Sequence, residues 1–317
     1  MVKTYTTELA GRPLVMEFGK YCGQANGSVI VRLGDTVVMV NATASDTPRE
    51  GQDFFPLSVD FEEKMYSVGK IPGGFIKREG RPSEKATLTS RLIDRPLRPL
   101  FNKGMRNDVQ VVATVLSVEQ DVPPDIPAMI GASAAIAVSD IPWAGPIGGV
   151  SVGLVDGEIV INPNQEQRAV SKLSLTVAGT DEAVLMVEAG AKEVSEEVML
   201  GAIKFAHEEI KKQCAVQIEL MKELGKDVKR TYCHEVNDEE LRQLVIRETY
   251  DKVYAVATSA SGKQERTEKF EEIEAEFCTR YTEEELAEKL PLIKRYFHDD
   301  VLKKAMRRMI LDEGKRL

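Results

Sequence analysis

The sequence predicts an α+β domain followed by a small all-α domain. Up to about residue 224, segments with the two-residue alternation of β-strands are interleaved with helical segments. From residue 237 onward, every segment has helical periodicity. The stretch between these regions is short, polar and begins with glycine, which is typical of a linker. We therefore expect a first domain at 1–225, a linker at 226–236 and an all-α domain at 237–317.

The first strands are predicted near the N-terminus. Residues 28–32 and 36–43 are rich in β-branched side chains, and a turn at 33–35 should join them as an antiparallel pair. The segment 57–62 has the same alternating character. The domain should therefore begin with an antiparallel sheet.

A helix follows over residues 85–95. Ser83 can cap its N-terminus because a serine oxygen accepts a hydrogen bond from a backbone N–H of the first turn. Pro96 disfavours helical geometry at the preceding residue, so the helix should end there. The β-branched run 109–119 then predicts a buried strand, and the small residues of 127–138 predict a helix that can approach a sheet closely.

The rest of the first domain combines a hairpin, two more strands and a long helix. The turn Asp156-Gly157 should join strands at 149–155 and 158–161. The remaining predicted elements are strands at 172–178 and 183–188, an amphipathic helix at 196–224, and helices of the all-α domain at 238–257, 265–281, 282–290 and 298–311.

Charge and cysteine content exclude several classes of protein. The 317 residues carry a net charge of −9, so any contact with nucleic acid must be local. The four cysteines are scattered with no CxxC pair, which argues against a disulfide framework and a structural zinc site. No apolar run has the length of a signal-peptide core or a membrane span. We expect a cytoplasmic protein that does not enter a membrane.

One short segment is strongly basic. Residues 70–106 contain ten basic and three acidic residues, a net charge of +7. Within it, a flexible Gly73-Gly74 pair precedes an aromatic residue and several cations, a combination suited to stacking on bases and neutralising phosphates. The predicted RNA-binding residues are Phe75, Ile76, Lys77, Arg78 and Arg81. In the alternative interpretation, Phe75 is buried and the cations form a solvated face.

Three arginines of the same segment form a second candidate group. Arg91 and Arg95 lie one helical turn apart, and Arg98 follows just beyond the proline. Guanidinium groups bind oxyanions bidentately, so these residues could hold adjacent phosphates. The alternative is ion pairing with nearby carboxylates such as those of Asp94 and Glu84.

Long blocks of the chain resemble the bacterial polynucleotide phosphorylase family. They are FGKYCGQANGSVIVRLGDTVVMV, GKIPGGFIKREGRPSEKATLTSRLIDRPLRPLF, DVPPDIPAMIGASAAIAVSDIPW and MILDEGKRL, in the family's order. The resemblance covers the whole chain. It implies that the first domain has the RNase PH-like fold and that the helical domain of the family follows it.

The resemblance also implies an activity. Such enzymes degrade RNA from the 3′ end by phosphorolysis, in which inorganic phosphate attacks the terminal phosphodiester and a nucleoside diphosphate leaves. The implied cofactor is Mg²⁺, the co-substrate is inorganic phosphate, and the implied partners are single-stranded RNA, two further copies in a homotrimer, and components of an RNA-degradation complex. A second, catalytic RNase PH-like domain would begin where this chain ends. We therefore expect the chain to be inactive alone; the alternative is a stand-alone noncatalytic RNA-binding ring subunit.

The family's motifs can be transferred to this chain residue by residue. In the catalytic domain of the family, a GD-x-D-x-K-V-A-G block supplies two metal-binding aspartates and a lysine. The corresponding stretch here places Lys172, Ser174 and Thr176 at those positions, so the resemblance implies no metal ligand and no complete catalytic set in this chain. Ser133, in the predicted helix, is expected to be a helix residue.

The RNA-guiding residues do match the family. The resemblance implies that the loop from Phe75 to Arg78 constricts a channel around single-stranded RNA, and that Arg91, Arg95 and Arg98 reach toward a neighbouring catalytic domain. Ile76 and Lys77 stand where better-known members have a second aromatic residue and a second arginine.

Overall fold

The chain divides into two compact units, residues 1–234 and 235–317. The computed structural model describes residues 2–49, 51–52, 54–75, 77–231, 237–259, 261–314 and 316. The first unit mixes strands and helices, whereas the second contains only helices within its described part. The predicted order of an α+β domain followed by an all-α domain is confirmed.

The first unit contains ten described strands. In chain order, β1 to β10 are Lys3–Leu9, Arg12–Phe18, Gly27–Leu33, Thr36–Ala44, Leu57–Glu62, Val109–Ser117, Gly148–Val155, Glu158–Ile161, Leu173–Gly179 and Val184–Ala191. The structure also describes eight α-helices, which are numbered in chain order like the strands. In chain order, α1 to α8 are Glu84–Leu97, Asp125–Ala137, Gln165–Val170, Glu196–Glu223, Glu239–Thr258, Lys263–Cys278, Glu283–Tyr296 and Lys303–Glu313.

The strands form two sheets. The first has the order β1-β2-β3-β4-β6-β5 and is antiparallel except for the pair of β5 with β6. The second is antiparallel with the order β10-β9-β7-β8. The predicted hairpin around Asp156-Gly157 is confirmed as β7 and β8. The predicted pair before residue 44 is confirmed as β3 and β4, whose register places Val31 opposite Val38.

Helix α2 lies between the two sheets, in contact with β3, β4 and β7. Every residue from Ile126 to Ala137 is buried. Small side chains allow this close approach, because a Cβ atom at Gly131 would lie only 2.6 Å from Val40 Cγ2. Helix α4 packs against β7 and β9. The core of the first unit is therefore built around one fully buried helix.

The predicted end of α1 is wrong. Ser83 caps the helix as expected, with its side chain accepting a hydrogen bond from Ala86 N at 2.9 Å. The helix then continues through Pro96 to Leu97, instead of ending at the residue before the proline. Pro96 and Leu97 are both buried, and Arg98 N donates to Asp94 O. Packing of the last turn into the core thus outweighs the local preference of a residue that precedes proline.

The segment after α4 packs on the first unit as far as residue 230. Lys229 Nζ donates to Ala137 O at 2.5 Å and to Ser139 O at 2.7 Å, at the C-terminal end of α2. Arg230 N donates to Asp140 O at 2.8 Å. Burial lowers the pKa of Lys229 to about 8. Residues 229 and 230 of the predicted linker therefore form part of the packed first unit.

The second unit packs α5 against the helices that follow it. Asp238 caps α5 by accepting a hydrogen bond from Leu241 N at 2.9 Å. A π-helical turn, Phe297–Leu302, joins α7 to α8 and carries the buried Asp300. Among the described residues, no helix is both long and apolar enough to span a membrane.

Candidate nucleic-acid interface

The basic loop lies between a short 3-10 turn, Met65–Val68, and helix α1. Both ends of this loop are held by side chains. Glu79 accepts a hydrogen bond from Met65 N at 2.9 Å, and Ser83 Oγ donates to Glu63 Oε2 at 2.7 Å. Its described residues from Gly69 to Pro82 form neither helix nor strand. The loop is therefore anchored at its base and irregular at its tip.

Phe75 lies at that tip with its side chain in solvent. Its relative accessibility is 101%, which eliminates the alternative in which this ring is buried. Gly74 has φ +75°, and Lys77 has φ +55°, so the backbone on both sides adopts left-handed geometry that presents the tip outward. Ile76, the other predicted apolar contact, lies outside the described residues. An exposed aromatic ring of this kind offers a face on which a base can stack.

The cations beside Phe75 are exposed and uncompensated. Within the described part of the chain, Lys77, Arg78 and Arg81 form no ion pair with a carboxylate. Three positive charges in one short loop with no paired anion produce a local positive potential on an acidic protein. The binding of RNA by this group stays a prediction.

The three arginines of α1 and its C-terminus differ from one another. Arg91 is exposed, and no ion pair involves it among the residues described. Arg95 pairs with Glu188 of β10. Arg98 makes two hydrogen bonds to Asp94, at 2.7 and 3.1 Å, and a third to Leu57 O at 3.1 Å. Arg91 is thus available to a phosphate. Arg95 would have to leave Glu188 in order to bind one. Arg98 holds the end of α1 against β5.

Lys172, Ser174 and Thr176 lie on or next to β9, where the family's catalytic block would supply aspartates and lysine. Lys172 and Ser174 are exposed, and Thr176 is half-buried. Among the described residues, no group of three or more His, Cys, Asp or Glu side chains could hold a metal ion. Hydroxyl groups are weak ligands for Mg²⁺ without carboxylates beside them. The residues at this position therefore do not fit the metal that the family implies.

Ser133 is a buried residue of α2, as predicted. Its Oγ donates to Gln217 Oε1 at 2.7 Å and accepts from Ile147 N at 2.9 Å. Gln217 Nε2 in turn donates to Ile147 O at 2.8 Å. These bonds connect α2, α4 and the start of β7 in the core, so Ser133 has a structural role.

The sequence matches the profiles of known families along most of its length. Residues 10–142 match "3′ exoribonuclease family, domain 1", and residues 145–209 match "3′ exoribonuclease family, domain 2". The chain belongs to the 3′ exoribonuclease family. Residues 240–317 match "Polyribonucleotide nucleotidyltransferase, RNA binding domain". The first of the two exoribonuclease profiles covers the first sheet from β2 onward and α2, and the second begins just before β7, the first strand of the second sheet in chain order.

Relatives of this chain include several polyribonucleotide nucleotidyltransferases. The one from Ruminiclostridium cellulolyticum is 55% identical over 320 residues, covering 100% of this chain and 44% of the relative. The one from Caldicellulosiruptor bescii is 53% identical over 318 residues, covering 99% and 44%. The one from Clostridioides difficile is 57% identical over 279 residues, covering 88% and 39%. The chain thus spans less than half the length of these relatives.

Two features of this chain were not predicted from the sequence. The profile for 240–317 is described as an RNA-binding domain, whereas composition indicated only a solvated helical bundle. The pairing of Arg95 with Glu188 joins residues 93 positions apart, and no local pattern signals it.

Proposed function

We propose that this chain guides single-stranded RNA in a phosphorolytic 3′-to-5′ exoribonuclease, a polyribonucleotide nucleotidyltransferase, and that it does not carry out phosphorolysis by itself. The observation that carries the proposal is the anchored loop with a fully exposed Phe75 and unpaired Lys77, Arg78 and Arg81. The names of the relatives and the profile for 240–317 support it.

The proposal divides the work between this chain and a catalytic domain. Phe75 stacks on a base, the loop cations neutralise backbone phosphates, and Arg91 contributes positive charge near a transferring phosphoryl group. Inorganic phosphate is the co-substrate. Mg²⁺ belongs to the catalytic domain, because the residues described here do not fit it. The complete enzyme would act in the cytoplasm as a homotrimer, together with partners in RNA degradation.

RNA binding is the direct test, measured by fluorescence anisotropy with a labelled oligoadenylate at several salt concentrations. Arg78→Ala should reduce the slope of log affinity against log salt by about 0.7, since one phosphate contact is lost. Phe75→Ala should weaken binding by about 5- to 100-fold with the slope unchanged, because stacking is not ionic. Phe54→Ala is the matched control, since Phe54 is exposed but lies outside the basic segment. Unchanged affinity and slope in both loop variants would remove the guiding role.

Phosphorolysis is the second test. The 317-residue chain, incubated with polyadenylate, phosphate and Mg²⁺, should release no nucleoside diphosphate. Robust release from pure protein would contradict the assignment of Lys172, Ser174 and Thr176 as noncatalytic. The residues Lys172, Ser174 and Thr176, which replace the catalytic set of the family, also favour a second candidate function. This candidate is a stand-alone noncatalytic RNA-binding ring subunit. The gene sequence downstream of codon 317 distinguishes the two, because only the enzyme requires a second RNase PH-like domain.

A further inference from the structure

A cavity of about 160 Å³ lies at one end of α2 in the first unit, beside the second sheet. The turn between β1 and β2, the N-terminal end of α2, and residues of β7 and β9 form its walls. Ser174 and Thr176 line it, so the cavity occupies the position of the altered catalytic block. Its chemistry indicates what it can bind.

The charged groups of this cavity do not favour an anion. Arg12 is paired with Glu119 at 3.1 Å. The guanidinium of Arg168 donates to three backbone carbonyls, including Pro163 O at 2.6 Å and Gln120 O at 2.7 Å. Both cations are therefore already satisfied within the protein.

Two carboxylates also line the cavity, those of Asp121 and Asp125. Burial raises the pKa of Asp125, so the environment of this side chain penalises added negative charge. The described residues provide no cluster suited to a metal ion. The cavity therefore disfavours an anionic ligand, and the residues described give no site for a metal cation.

The polar groups without partners are hydroxyls and one amide. In the described chain, no hydrogen bond engages the hydroxyls of Ser151, Ser174 or Thr176. Ser151 and Thr176 stand directly opposite each other in the pairing of β7 with β9. Asn162 also lines the cavity; its Oδ1 accepts from Ser151 N, whereas its buried Nδ2 has no partner. This nitrogen has almost no accessible surface, so the groups that a ligand can reach are the three hydroxyls.

The remaining wall is apolar, with Leu9, Leu33 and Pro163 among its residues. A cavity of about 150 Å³ accommodates one six-membered ring. We propose that this cavity binds a single uncharged, hydroxyl-rich ring of pentose size, such as the ribosyl group of a nucleoside. The apolar wall contacts the C–H face of the ring, and the hydroxyls of Ser151, Ser174 and Thr176 form hydrogen bonds with the ring hydroxyls. This inference goes beyond the proposed function and does not depend on it.

The test uses the 317-residue chain and ligand-observed NMR with three probes: D-ribose, tetrahydrofuran and inorganic phosphate. D-ribose should bind with a Kd on the order of 1 mM, as expected for a small polar ligand. Tetrahydrofuran has the same ring without hydroxyls and should bind at least about 10-fold more weakly. Inorganic phosphate should not displace D-ribose. Absence of D-ribose binding, or displacement by phosphate, would overturn the proposal.

Variants locate the binding. Thr176→Val keeps the shape of the side chain, removes its hydroxyl, and should raise the Kd for D-ribose by about 3- to 10-fold. Ser174→Ala, at an exposed position where folding is not at risk, should act in the same direction. Thr6→Val is the control, because Thr6 is exposed on β1 and does not line the cavity. Equal Kd values for the two cavity variants and the control would show that D-ribose binds elsewhere.

Discussion

Arg95 and Glu188 form an ion pair that joins helix α1 to strand β10. The Arg95 side chain is 49% exposed and that of Glu188 is 60% exposed, so water and salt screen their attraction. Arg98, in contrast, has its guanidinium fixed by both oxygens of Asp94 and by the carbonyl of Leu57. A screened pair can release its arginine to a phosphate more readily than such a network. Under the proposed function, Glu188 would compete with RNA for Arg95.

Glu188→Gln should raise the affinity for single-stranded RNA by about 2- to 5-fold, because it removes this competing carboxylate. The free energy of unfolding should change by less than about 0.5 kcal/mol, as is usual for exposed ion pairs. Anisotropy at low and moderate salt measures the first effect, and urea unfolding measures the second. Glu182→Gln, at an exposed position with no ion pair in the described chain, should leave affinity nearly unchanged. Equal affinities for the Glu188 variant and the unmodified chain would place Arg95 away from the RNA.

The close packing of α2 predicts opposite effects for two glycine substitutions. Gly131→Ala should destabilise the first unit by about 1–3 kcal/mol, because the new Cβ would lie 2.6 Å from Val40 Cγ2. Gly201→Ala, in α4, should stabilise it by about 0.5–1 kcal/mol, since a Cβ there meets no heavy atom within 4 Å. Trp143 is the only tryptophan, so its fluorescence during urea unfolding reports on the first unit. A stabilising Gly131→Ala would show that α2 can shift away from the sheet.

The buried bonds of Ser133 predict a loss of stability without a loss of RNA binding. Ser133→Ala leaves Ile147 N and Gln217 Oε1 without this partner in the core, which should cost about 1–3 kcal/mol. RNA affinity at a temperature where the variant is folded should equal that of the unmodified chain. Lowered affinity in a fully folded Ser133 variant would give this serine a role in ligand binding.

Local sequence patterns were sufficient to predict eight of the ten described strands, including the edge strands β5, β8 and β10. β3 and β4 alternate apolar residues over a buried face and were predicted within one or two residues. β1 buries only Leu9, so this strand gave little signal and was missed. β2, its hairpin partner, was missed with it, although Leu14, Met16 and Phe18 are buried at alternate positions of β2. α3 was missed because its six residues bury no side chain. Elements held by hydrogen bonds alone leave little hydrophobic periodicity.

The candidate site was predictable only as far as its residues are adjacent in sequence. The basic loop is one continuous segment, so composition was enough to locate Phe75 and its neighbouring cations. Arg98 pairs with Asp94 in its own helix, which is the alternative that the sequence offered. Glu188, which pairs with Arg95, and Leu57, whose carbonyl binds Arg98, come from strands, and these contacts depend on how the sheets are arranged. The cavity combines residues from both sheets and α2 in the same way. Tertiary packing sets these relationships, and sequence spacing does not record them.

Asp300 is the centre of an ion-pair network in the second unit. From this network we expect the stability of the unit to depend on pH. Its carboxylate accepts hydrogen bonds from Arg242 at 2.9 Å and from Lys304 at 2.8 Å, and its side chain is only 11% exposed. The bond from Arg242 is the main cause that lowers the pKa of Asp300 from 3.8 to about 2. The unfolded chain therefore binds this proton more tightly than the folded chain. The stabilisation is complete above about pH 4 and is lost as the pH falls through 2.

Asp300→Asn should accordingly reduce the stability of the second unit by about 1–3 kcal/mol at pH 7, and by progressively less as the pH approaches 2. Circular dichroism at 222 nm follows the helices of both units, whereas Trp143 fluorescence follows the first unit alone. Asp300→Asn should shift the unfolding transition measured by circular dichroism and leave the one measured by Trp143 fluorescence unchanged. Asp299→Asn is the matched control, because the neighbouring Asp299 is 40% exposed and its pair with Lys303 should contribute little. A loss in the Asp300 variant that is the same at pH 7 and pH 3 would mean that the carboxylate charge is not what stabilises this unit, and that the side chain acts only by filling space beside Arg242.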